Sequence, residues 1–178
     1  TALFITRKQL VQNSILDGNV DTDKFIQFIK IAQEIHIRNY LGTDLYNKIS
    51  TDIAASNLSG AYLTLVRTYI QPMLIHYAMA DYIPFAAYQI KNGGVFKHTS
   101  ENAETVSKNE IDYLVKKERD IAEYYTRRFI DFMSFNQSSY PEYTSNTNED
   151  IDPDKDSLFN GWVLWKEKVN QKIKMCKN

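Results

Sequence analysis

Residues 59–90 read SGAYLTLVRTYIQPMLIHYAMADYIPFAAYQI, and the class of the protein turns on them. The run is apolar on nearly every helical face, and about 20 such residues suffice to span a bilayer. Six interruptions oppose a membrane reading: Arg67, Gln71, His76 and Asp81, together with Pro72 and Pro84. Each charged one costs on the order of a kilocalorie or more in lipid. The run therefore reads as the central core helix of a helical domain, kinked at its two prolines.

The rest of the composition agrees. The 178 residues include only six glycines and four prolines, with 43% hydrophobic residues, which favours long helices over turn-rich sheet. The expected class is all-α, a helical bundle of one domain with appendages. With 21 basic and 22 acidic residues the formal charge is -1, so no global field draws the chain to nucleic acid or to an anionic membrane. Cys176 is the only cysteine, which excludes an intrachain disulfide and a cysteine zinc cluster. The opening TALFITRKQL lacks the basic and apolar regions of a secretory signal.

Upstream of the apolar run lies NYLGTDLYNKIS, residues 39–50. Gly42 can take a positive φ and end one helix, while Thr43 can cap the next, so a helical corner is expected with Leu41, Leu45, Tyr46 and Ile49 turned to the core. Before it, DTDKF opens a regular helix to Tyr40, with Phe25, Phe28, Ile29, Ala32, Ile35 and Ile37 on its apolar face. Thr6 and Gln9 have capping-box spacing for a short first helix ending near Gly18.

Downstream, KNGGVFKHTSENAETV (91–106) cannot continue the central helix, and an extended excursion or small hairpin is expected over about 92–106, with Val95 and Phe96 in it. Ser107 and Glu110 form a second capping box, opening a helix whose apolar set is Ile111, Leu114, Val115, Ala122, Tyr125, Phe129 and Phe132. Three regions follow: a helical core over 1–136, an acidic linker over 137–156, and a basic, aromatic C-terminal arm over 157–178. In the arm Trp162 and Trp165 recur at helical spacing among Lys166, Lys168, Lys172 and Lys174.

No pattern of catalytic chemistry stands out. Asp152, Asp154 and Asp156 occupy the first positions of a calcium loop, but Ser157 replaces the required glycine and Val163 the closing glutamate. The echo DGNVDTDKFIQF fails likewise at Thr22 and Phe28. Neither His36, His76 nor His98 follows a carboxylate by three residues, so the di-iron helical motif is absent. His76 with Asp81 reads as a satisfied core pair. There is no phosphate loop and no nucleophile elbow. We expect no enzyme and no cofactor. Twelve tyrosines point instead to protein contacts, and Tyr140, Tyr143, Trp162 and Trp165, lying outside the helical core in this reading, are the candidate anchors.

Four stretches, RKQLVQNSILDGNVD, NYLGTDLYNKI, AYQIKNGGVF and YYTRRFIDFMSFNQSSYPEY, resemble the head-to-tail connector, or adaptor, ring proteins of tailed bacteriophages of the crAss-like type. The resemblance covers roughly residues 3–143 and rests on fold-keeping motifs. It implies a structural virion protein made in the host cytoplasm, forming a ring, usually dodecameric, beneath the portal at the head–tail interface. DNA would pass through without specific binding, and portal and neighbouring ring proteins would be the partners. Heterologous ring contacts would draw on Val95, Phe96 and Lys97. The resemblance does not reach the arm; that the arm clamps neighbours through Trp162, Trp165, Lys166 and Lys168 is expected from its own basic and aromatic residues. The alternatives are a small helical nucleic-acid-binding or regulatory protein using the C-terminal lysines, and a peripheral membrane protein anchored by the arm.

Overall fold

The structure, a computed structural model, describes residues 2–13, 22–86, 88–91, 94–97, 107–147 and 150–156. Its class is all-α, with one small hairpin. The apolar run forms one helical path: α4 (Gly60–Leu65), a π turn (Val66–Ile70) and α5 (Gln71–Ala86). The π turn ends at Ile70, two residues before Pro72, which has no N–H to donate and whose ring crowds the preceding turn; a widened turn relieves both. Leu65, Val66, Ile70, Met73, Leu74 and Ala78 are essentially inaccessible, so this path is the centre of the core. α5 packs most extensively against α6 (Lys108–Asn136) and next against α2 (Thr22–Ala32). Among the described residues no helix is long and apolar enough to cross a membrane.

α2 continues through a second π turn, Gln33–Ile37, into α3 (Arg38–Ala54). The extra residue rephases the apolar stripe: Gln33 and Ile37 are buried, while Ile35, expected on the core face, is 54% exposed. The corner forms within α3 at Gly42, whose φ of 73° and ψ of 165° break the helical path. The positive φ is the expected one, but the ψ is extended rather than left-handed helical, in a region that glycine occupies almost alone. Leu41, Leu45, Tyr46 and Ile49 turn inward as expected. Thr43 does not cap the next helix, because its side chain is engaged elsewhere.

Both capping boxes form. Thr6 and Gln9 bond reciprocally ahead of α1 (Arg7–Asn13). Ser107 Oγ accepts from Glu110 N at 3.3 Å, while Ser107 N donates to Glu110 Oε2 at 2.8 Å. The Ser107 hydroxyl, donating to the same carboxylate at 2.7 Å, and then the Ser107 N–H hold the Glu110 carboxyl below its ordinary value. The central helix stops at Ala86, two residues past Pro84, not at Ile90. Strands β1 (Tyr88–Lys91) and β2 (Gly94–Lys97) then pair antiparallel with Tyr88 opposite Lys97. The excursion thus begins earlier than expected, and 98–106 lie outside the described residues.

The largest departure concerns the segment read as an acidic linker. A 3₁₀ turn (Gln137–Ser139) and α7 (Pro141–Thr144) close α6 onto α3, and residues 146–147 and 150–156 lie across the helical corner as a strap.

Candidate partner interface

The strap is joined to the corner through main-chain and side-chain atoms alike. Thr43 N donates to Ile151 O at 2.9 Å, Ile151 N donates to Thr43 Oγ1 at 3.1 Å, and Asp154 N donates to Asn39 O at 2.8 Å. Asp44 N donates to Asn146 Oδ1, and Thr147 N donates back to the Asp44 carboxylate at 2.7 Å. Arg38 pairs with Asp150 at 2.6 Å. Pro153 seats on Gly42 so closely that a Cβ there would lie 2.7 Å from two ring carbons. Glycine is thus required twice at one position, by φ and by the proline above it. The strap borders a shallow depression of about 450 Å³ lined by Tyr143, Asp152, Lys155 and Asp156, among others. No three of the described His, Cys, Asp and Glu side chains are grouped to hold a metal ion.

Tyr140 and Tyr143, taken from sequence as exposed anchors, are core residues with 2% and 3% exposure. Tyr140 donates its hydroxyl to Ala61 O at 3.1 Å and meets Tyr62 edge to face. Burial pushes the Tyr143 phenol up to about 12. Their placement follows from α7, which folds the segment back where a linker would have left it in solvent. Val95, Phe96 and Lys97 form β2 with Gly94, in a hairpin whose main described neighbour in the core is α5. Trp162, Trp165, Lys166 and Lys168 lie outside the described residues.

His76 does not pair with Asp81. Five positions on a helix turn them to different faces. His76 Nδ1 lies 2.7 Å from Glu118 on α6, and Asp81 lies 3.4 Å from His36 Nε2. His36 also stacks on Tyr77 at 4.1 Å, and the Tyr77 and Thr126 hydroxyls lie 3.2 Å apart inside the core. These contacts tie α5 to the π turn before α3 and to α6, and they read as structural cross-links.

The outer face of α6 was not singled out from the sequence. Tyr113 is 60% exposed, Tyr124 61% and Phe135 88%, with Leu114 and Ile121 also exposed although Leu114 was assigned to the core. Of its five buried residues, Ala122, Thr126, Phe129 and Met133 occupy the opposite side, with Ile130 at its margin. The spacing of 11 between successive aromatics was the available signal, three turns of helix.

Comparison with curated proteins and with solved structures returns no match. A family of unknown function, DUF6712, matches residues 37–153. The matched stretch begins just before the corner and ends on Pro153, the strap residue that seals it. The chain belongs to the DUF6712 family.

Proposed function

We propose that the protein is a structural component of a phage virion, a ring-forming head-to-tail connector subunit that joins capsid to tail and lets DNA pass. The observation that carries this is the resemblance of four stretches across roughly residues 3–143 to connector ring proteins. The layout supports it. A helical core bears a hairpin off α5, and the strap fixes the point from which the C-terminal arm departs. A heterologous ring needs a firm body with segments that reach a neighbour. The near-zero net charge suits a conduit that does not grip its DNA.

Quantitative mass spectrometry of purified particles tests the proposal. A ratio near one to one with the portal protein is expected. Absence from particles, with steeply salt-dependent DNA binding by the purified chain, would replace the connector with the nucleic-acid-binding reading. Deleting 158–178 should abolish portal docking while leaving the strap in place.

A further inference from the structure

Seven exposed residues of α6 form a single stripe: Tyr113, Lys117, Asp120, Tyr124, Arg128, Asp131 and Phe135. At 100° per residue they fall within an arc of about 80°, and the stripe runs roughly 33 Å. Their spacing is 4, 3, 4, 4, 3 and 4, the same read from either end. Their chemistry has the same symmetry in complement: aromatic, cation, anion, aromatic, cation, anion, aromatic.

We propose that this stripe is an interface to a second copy of the chain, in which two α6 helices pair antiparallel about a two-fold axis through Tyr124. In that register Tyr124 meets its own copy, Tyr113 meets Phe135, Lys117 meets Asp131 and Asp120 meets Arg128. Every charge faces its opposite and every aromatic an aromatic, which is what an isologous contact requires of one surface. A register shifted to centre between Ile121 and Tyr124 sets Lys117 against Arg128, so the charges select the first. Within one copy Lys117 lies over the Tyr113 ring at 5.7 Å and Arg128 over the Tyr69 ring at 5.2 Å, and both residues are exposed. The pairing does not depend on the connector reading, whose ring contacts are heterologous.

Sedimentation equilibrium and disulfide trapping test it on the full chain. A dimer is expected. Lys117→Asp should weaken it about tenfold or more, because the symmetry converts two attractive pairs into repulsive ones. Adding Asp131→Lys to that variant should restore the parent affinity, an outcome that a general loss of fold would not give. In a Cys176→Ser background, Tyr124→Cys should cross-link to itself across the axis, whereas Tyr113→Cys should link only to chains carrying Phe135→Cys. A monomer at every concentration, an oligomer of any size without the 124–124 link, or failure of the charge swap to restore association would each overturn the proposal.

Discussion

Gly42→Ala is the most informative single change in the core, because one methyl group meets two independent obstacles. An L-residue held at φ 73°, ψ 165° costs about 1–3 kcal/mol in backbone strain. The new Cβ would also sit 2.7 Å from the Pro153 ring, so the strap must lift. Lifting it breaks the Thr43–Ile151 and Asp154–Asn39 main-chain hydrogen bonds, at about 0.5–1.5 kcal/mol each. The two effects together give roughly 2–6 kcal/mol, with about 4 as the central value. For a chain of this size that lowers Tm by about 8–16 °C. Urea unfolding measures the loss, and amide exchange should show 150–156 opening ahead of the helices. Pro153→Ala removes the obstructing ring carbons without touching φ, so the double variant should lose about 1 kcal/mol less than the two single losses combined. An alanine variant within about 0.5 kcal/mol of the parent would refute both the strain and the close approach.

Gln33 is 2% exposed, accepts from Phe4 N at 2.9 Å and donates to Ala2 O and to the Tyr46 hydroxyl. Gln33→Leu strands the Phe4 amide, so a loss of about 1–3 kcal/mol and faster tryptic cleavage after Lys8 are expected. Tyr140→Ala should cost about 3–5 kcal/mol and Tyr140→Phe only about 1, the signature of a core residue; a partner-binding defect without loss of stability would contradict its burial. Burial, with the Glu34 hydrogen bond beside it, pushes Tyr46 up to about 12, and burial does the same for Tyr143. The folded chain then keeps phenol protons that the unfolded chain releases above its ordinary value of 10.0. This stability is whole below pH 10 and is lost as pH rises toward 12. Denaturation with absorbance at 295 nm should show these tyrosines ionising with unfolding, and Tyr46→Phe should reduce the dependence.

The central helix, the corner at Gly42 and both capping boxes are legible in the sequence because each rests on local chemistry: apolar density, one glycine, or a hydroxyl three residues from a carboxylate or amide. The strap is not. It is held by two backbone–backbone hydrogen bonds and by side chains that meet backbone atoms about a hundred positions away, and such long-range bonds leave no pattern in side-chain order. Its polar, acidic composition even reads as the opposite, and so conceals Tyr140 and Tyr143 as core residues. The π turns are silent for a related reason, since an inserted residue changes phase without changing composition; Ile35 is exposed on that account. On α6, helical periodicity singles out the apolar side at Ala122 and Phe129. The outer aromatics alternate with charges and pass for a solvated face. Of the residues proposed as partner contacts, those on β2 lie on an extended hairpin as expected, and the two tyrosines do not belong with them.

The strap also decides how the molecule would bear a mechanical load. Tension applied at Asp156 meets the Asp154–Asn39 bond first, then Pro153 on Gly42, then the paired bonds between Ile151 and Thr43, then the Arg38–Asp150 pair, and only afterwards the exchange of Asn146 and Thr147 with Asp44. Pulled away from the corner, bonds arranged in this order would peel one after another. Residues 150–156 would then yield ahead of the helical core. A pull applied at Asp156 would lift the strap while the helices stay packed, and slackening would let the strap settle back onto the corner.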